Sequence, residues 1–242
     1  MALYELYLNM NIVRLRHSLI YKAAVRLTNN LAKLLPMKLW TELLYWRLRK
    51  LDEGDLTNGH YEEFFTIHFG LSIADYKGKR VLDIGCGPRG SLEWVSAHAD
   101  CFGLDPLANA YLKMGAENHR MKYIQGISEA MPFDDASFDI VSSFNSLDHV
   151  DDLGNSIAEI KRVIKPGGYF LLIADIHPIP TVTEPSNFSW SIIDQFTDSF
   201  IVLRESHYEG HQLYRSIRAA IPFDHTNSTE RYGILTVLFQ RK

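Results

Sequence analysis

The sequence predicts an α/β protein, a mainly parallel sheet with helices on both sides, preceded by a helical N-terminal cap. Three observations predict it. From residue 78 onward, short β-rich runs alternate with helical segments, the pattern of successive βα units. A turn rich in glycine follows the first of those runs and opens the next helical segment, as ligand-binding βα turns do. Ahead of it, residues 3–50 show apolar side chains at helical spacing only.

In chain order, Leu3, Leu6, Tyr7 and Met10 share one helical face, as do Leu39, Leu43, Trp46 and Lys50. Pro36 suits the first turn of a helix, where its missing N–H costs nothing. Residues 51–60, with Gly54, Asn58 and Gly59, read as a loop. Strands are expected at 80–84, 101–104, 122–125, 138–143 and 169–174, and helices at 91–98, 107–118 and 152–165. In the last helix Leu153, Ile157, Ile160 and Ile164 fall on one face, and Pro166-Gly167-Gly168 stops it. Two further strands are expected at 200–203 and 233–240. The division is a cap over residues 1–65 and an α/β domain over 66–242. A sheet of this kind binds ligands at the carboxyl ends of its strands.

Composition narrows the class. The chain has 242 residues, 46% hydrophobic and 22% charged, which excludes disordered and fibrous proteins and permits one core with a small attachment. The net charge of −4 gives no reason to expect nucleic acid. Charge is unevenly distributed, however: residues 1–50 carry nine Lys/Arg against Glu5 and Glu42. That segment suits a solvated helix face, an anionic membrane surface or an anionic substrate. Two cysteines, Cys86 and Cys101, make no disulfide framework, so a reducing, cytoplasmic compartment is expected. No apolar run is long enough to span a bilayer. The first residues lack a signal-peptide pattern, being interrupted by Asn9, Asn11, Arg14 and Arg16. Nothing in the sequence speaks to oligomeric state.

Gly85, Gly87 and Gly90 match G-x-G-x-x-G; glycine lets the backbone turn tightly and approach a ligand with no Cβ between them. Asp105 ends the next strand, where a carboxylate meets ribose hydroxyls. To this point a nicotinamide dinucleotide, serving an oxidoreductase, fits as well as any other nucleoside. Asp83, two residues before the first glycine, separates the readings. A carboxylate there is unfavourable beside a pyrophosphate and favourable beside a cation, although it also serves to cap the turn.

The string Val81-Leu82-Asp83-Ile84-Gly85-Cys86-Gly87-Pro88 resembles the first motif of class I S-adenosylmethionine-dependent methyltransferases. Gly103-Leu104-Asp105-Pro106 resembles the acidic end of their second strand. Ile127-Ser128-Glu129-Ala130-Met131-Pro132-Phe133 and Ser137-Phe138-Asp139-Ile140-Val141 resemble their adenine loop and fourth strand, and Val163-Ile164-Lys165-Pro166-Gly167-Gly168 the approach to the fifth. The resemblance covers about residues 78–175 and is nearest to the type-11-like subgroup acting on small molecules. It implies a Rossmann-like sheet with the last strand antiparallel, and S-adenosylmethionine as cofactor with S-adenosylhomocysteine as product. Asp83 would bind the ammonium, Gly85 and Gly87 line the methionine portion, Asp105 bind the ribose, and Ser128 and Glu129 meet the adenine through backbone groups. Cys86, Pro106, Gly126 and Asn145 would adjoin the cofactor, and Tyr61 close over it. Ile127 stands where the family often has Asp.

For the chemistry, Asp148 and His149 follow the fourth strand, and Asp175 and His177 the fifth. Those strands are neighbours in the resembling fold, so the four side chains are expected on one rim. His149 and His177, with Asp148, are the candidate catalytic groups, a base for the acceptor's proton. A divalent metal would take the same residue types, but their spacing is not that of a metal motif and no metal is expected. The expected function is transfer of a methyl group to an oxygen or nitrogen of a small-molecule acceptor, such as a saccharide or natural-product intermediate. The alternatives are an NAD-dependent oxidoreductase and a non-catalytic S-adenosylmethionine-binding module.

Overall fold

In the computed structural model, which describes residues 37–59, 61–177 and 188–242, seven strands form one sheet. Among the described residues helix α1 (Met37–Glu53) comes first, then the short helices α2 (Glu62–Phe65) and α3 (Ile73–Tyr76). Strands β1 (Arg80–Ile84) and β2 (Asp100–Asp105), helix α4 (Ala108–Leu112), and strands β3 (Lys122–Gln125) and β4 (Phe138–Phe144) follow. Helix α5 (Leu153–Val163), strands β5 (Ile164–Ile176) and β6 (Phe200–Glu209), helix α6 (Leu213–Ala219) and strand β7 (Gly233–Arg241) complete the chain. The sheet order is β3-β2-β1-β4-β5-β7-β6. The pairs from β3 to β5 are parallel, and β7 runs antiparallel to both its neighbours. The expected α/β fold with an antiparallel last strand is thus the observed one.

Strand alternation divides the core between two faces. Leu82, Leu104, Val141 and Leu172 pack with Ile157, Ile160 and Val163 of α5. Val81, Cys101, Ile140 and Leu171 pack with Phe64, Phe65, Tyr76 and Leu92. Successive side chains of a strand point to opposite faces, so both faces of a doubly covered sheet are apolar.

Local departures have physical causes. The expected helix at 91–98 is a run of turns: Glu93, Val95 and His98 N–H groups each reach back three residues. Glu93 is engaged elsewhere, its carboxylate accepting the Met121 N–H at 2.8 Å. The segment 107–118 is split at Gly115, whose φ of 107° lies in the left-handed region, into α4 and a 3₁₀ turn at Ala116–Asn118. Helix α5 ends at Val163, before the Pro-Gly-Gly that was expected to stop it. Ile164 already pairs with Phe138, and the pairing then shifts register before Ile140↔Tyr169. Pro166-Gly167-Gly168 is therefore an irregularity within β5, not a helix stop. Helix α1 runs to Glu53, two residues beyond the expected start of its loop. The helical patterns at residues 3–10 and Pro36 lie outside the described residues.

Candidate active site

The sheet order reverses direction at β1, with β2 on one side and β4 on the other. That switch point leaves a crevice beyond the strand ends, and here it is a cleft of about 1130 Å³. One wall is the turn after β1, another the ends of β2 and β4, and helix α1 lies across it with Lys38, Leu39, Glu42, Trp46 and Arg49 facing in. The cleft exceeds the roughly 300–1,000 Å³ of most small-molecule sites, which leaves room for two reactants.

All the residues expected to hold the cofactor line this one cleft: Tyr61, Asp83, Gly85, Cys86, Gly87, Asp105, Pro106, Gly126, Ser128, Glu129 and Asn145. The turn is built for close approach. Gly85 has φ 69°, and a Cβ there would lie 2.3 Å from Ser146 Cβ. Asp105 braces the turn from beneath, accepting the Gly87 N–H at 3.2 Å through Oδ2 and the Leu107 N–H at 2.8 Å through Oδ1. Ser142 on β4 donates to Asp83 Oδ1 at 2.6 Å. The Ser128 hydroxyl is paired with Ser156, and Glu129 Oε1 accepts the Asp151 and Asp152 N–H groups ahead of α5. With both side chains engaged, backbone groups are what this turn has left to offer a ligand. Tyr61 reaches the cleft and also packs on Tyr214, ring centroids 5.0 Å apart.

Electrostatics select the ligand. Burial pushes the Asp83 carboxyl up to about 6, against the lowering effect of Ser142 and Ser91. Burial first, and then the charge of Glu42, push Asp105 up to about 7. Six carboxylates line the cleft (Glu42, Glu53, Asp83, Asp105, Glu129 and Asp151) against Lys38, Arg49 and Arg89. A cation with hydroxyl donors relieves such a site, and a pyrophosphate aggravates it. The donor set therefore fits a ribose-bearing ammonium and sulfonium ligand. Cys86 is a packing residue: burial drives its thiol well up, and a Cβ on Gly103 would meet its Sγ at 2.5 Å. Thiolate chemistry is disfavoured there.

The catalytic candidates do not share one rim. His149 lines the cleft, its Nε2 without a hydrogen-bond partner and 3.9 Å from Asp148 Oδ1. Asp148 is fully buried, away from the cleft wall and beside His149. His177 is also buried and stands over Tyr232, ring centroids 6.1 Å apart, outside the described cleft lining. The reason is the path of β5: it stays paired with β7 to its end, through Asp175↔Ile234 and Ile176↔Gly233, which carries residues 175 and 177 away from the β1–β4 crevice. Among the described residues no group of three or more His, Cys, Asp or Glu is placed to hold a metal ion.

Sequence reading missed several wall residues. Arg89 clamps the glycine turn to α1, its Nη2 2.8 Å from Glu53 Oε1 and its guanidinium 5.5 Å from the Trp46 ring. Lys38 donates to the His149 carbonyl, so α1 is fastened on both sides of the cleft. Trp46 belonged to a helical pattern whose partner was unknown, Glu42 stood out only as an acidic residue of a basic segment, and Tyr214 carried no local signal at all.

Residues 82–172 match the family model described as a methyltransferase domain. A probable phthiotriol/phenolphthiotriol dimycocerosates methyltransferase 2 of Mycobacterium ulcerans is 35% identical over 123 residues, 48% of this chain and 47% of that protein. A fatty-acid O-methyltransferase of Mycolicibacterium smegmatis is 32% identical over 127 residues, 50% of this chain and 45% of that protein. The chain spans about half the length of the curated relatives it matches. Among solved structures, geranyl diphosphate C-methyltransferase from Streptomyces coelicolor A3(2) superposes with a TM-score of 0.55 at 15% identity, over 75% of this chain and 77% of that one.

Proposed function

Residues 82–172 are a class I S-adenosylmethionine-dependent methyltransferase domain, and from that premise we propose that the protein transfers a methyl group to an oxygen or nitrogen of a small, largely apolar acceptor. The single observation that carries this is the joint placement of Asp83, Asp105 and the glycine turn in one cleft whose spare volume adjoins His149. The acceptor's character is supported by the wall: Leu39, Trp46, Phe144, Val150 and Leu213 contribute apolar surface. The relatives named for phthiotriol and fatty-acid acceptors support it further, and none of these comparisons favours a dinucleotide oxidoreductase. The cap and the α/β domain, divided near residue 65, would enclose the reactants between them.

When bound, the cofactor supplies an electrophilic methyl carbon for an in-line displacement, so alignment of the reactants provides much of the acceleration. Asp83 holds the ammonium end, Asp105 the ribose, and α1 with Tyr61 and Tyr214 excludes water. The His149 imidazole takes the acceptor's proton through Nδ1, because its Nε2 is buried and faces the buried Asp148 carboxylate 3.9 Å away, which stabilises the imidazolium. Binding and proton removal are separate tasks, and mutants should separate them. His149→Ala is expected to lower turnover by roughly 10²–10⁴-fold, the usual worth of a general base, with S-adenosylhomocysteine affinity within about twofold. Asp105→Ala should instead weaken S-adenosylhomocysteine by ~1–3 kcal/mol through lost charged hydrogen bonds. Calorimetry and methyl transfer from labelled cofactor to a panel of fatty acids, long-chain alcohols and phenols check both. Tight cofactor binding with no transfer to any acceptor would favour the non-catalytic module. Transfer with His149→Ala undiminished would leave alignment as the whole mechanism.

A further inference from the structure

Helix α1 is apolar on two sides. One faces the cleft through Leu39 and Trp46. The other points outward: Trp40, Leu44, Leu48 and Leu51 are 63%, 57%, 57% and 83% exposed. Their spacing of four, four and three residues sets them in one stripe along three turns. They are four of the eleven large exposed apolar residues among the described residues. A stripe of this kind on a helix that already buries its other face marks an interaction surface.

We propose that this face of α1 docks on an anionic lipid bilayer, with the helix lying in the interfacial plane. Charge chooses the occupant. Residues 1–50 carry a net +7 within a chain of −4, so the other 192 residues carry −11. On that balance an anionic surface attracts the basic N-terminal segment, to which Trp40, Leu44 and Leu48 belong, and repels the acidic remainder. A second copy on the same face would set one basic segment against another. Exposed Arg47 flanks the stripe, and Trp40 suits the headgroup boundary, where an amphipathic aromatic is favoured. At 17 residues α1 is long enough to lie along the surface, and no described helix is long and apolar enough to cross a membrane. The inference is independent of the methyl-transfer reading, since it concerns the face of α1 away from the cleft.

The test is co-sedimentation of the full chain with vesicles of phosphatidylcholine, alone or mixed equally with phosphatidylglycerol. Binding should be at least ~tenfold tighter to the mixed vesicles and should weaken in high salt. The Leu44→Glu/Leu48→Glu variant should abolish it. Both side chains are exposed and outside the cleft, so the variant's thermal shift with S-adenosylhomocysteine should match the parent's and prove it folded. Quenching of tryptophan emission by brominated lipid, lost in Trp40→Phe, is the second readout. Absence of sedimentation with the mixed vesicles would overturn the proposal. So would binding unchanged in the double variant, which charge alone would explain, or a dimer that the variant dissociates while vesicles bind neither protein.

Discussion

Asp83→Asn is expected to cut S-adenosylhomocysteine affinity by at least ~100-fold, about 2.7 kcal/mol, while making the free protein more stable at pH 8. Both effects have one cause. The carboxyl is buried, and burial raises it from 3.8 to about 6. A carboxyl raised on folding contributes its full stability below its unfolded value and loses it as pH rises through the folded value. At pH 8 the free protein therefore bears a penalty on the order of 2–3 kcal/mol for ionising this group in the dark of the cleft. Asparagine removes the charge and can still accept from Ser142. The melting temperature should rise by several degrees at pH 8 and by nothing near pH 4. In the parent, cofactor binding needs the ionised form, so affinity should fall as pH is lowered from 7 through 6. Asp105, raised to about 7, acts in the same direction. Calorimetric titrations at pH 5, 6, 7 and 8 with melting curves at each pH check this. Equal affinity in the folded variant would remove Asp83 from the site.

Gly85→Ala should cost ~3–5 kcal/mol, from a left-handed backbone position and an overpacked neighbour. The new Cβ would sit 2.3 Å from Ser146 Cβ and 2.7 Å from its Oγ. Ser146 is not free to swing away, because its hydroxyl donates to the Ile84 carbonyl at 2.7 Å and pairs with Ser143. Gly54 supplies the control: its φ is 78°, with nothing within 4 Å of a Cβ. Gly54→Ala therefore carries the backbone cost alone, ~1–2 kcal/mol. Urea unfolding of the two variants should differ by at least ~2 kcal/mol, and matching midpoints would mean that the β1 turn yields without penalty.

Much of the sheet was legible in the sequence because each strand's evidence is local. An apolar run of four to seven residues bounded by Gly, Pro or Asp identifies a buried parallel strand without knowledge of its neighbours. The glycine turn and the acidic ends of β1 and β2 were legible for the same reason: backbone conformation and a carboxylate's reach are set within a few residues. Hence Asp83, Gly85, Gly87 and Asp105 could be assembled from residues 81–106 alone, and the structure brings them to one cleft.

Local reading stopped where two distant segments compete. The 91–98 run has helical composition, yet Glu93 is claimed by Met121, a contact 28 residues away. Ile164 could be read as the last apolar residue of a helix until β4 offered Phe138 as a partner. His149 and His177 look alike in sequence, each just past a strand. Only the strand order, with β7 drawing the end of β5 away from β1, leaves one in the cleft and buries the other against Tyr232. The sequence by itself thus determined much of the sheet, the glycine turn and the carboxylates at the ends of β1 and β2, because those follow from short-range conformation and charge. The tertiary structure alone decided that α1 roofs the cleft through Arg89 and Lys38, that Tyr214 meets Tyr61, and that the stripe from Trp40 to Leu51 is left outside, because each depends on which surfaces remain uncovered once the sheet has closed on its core.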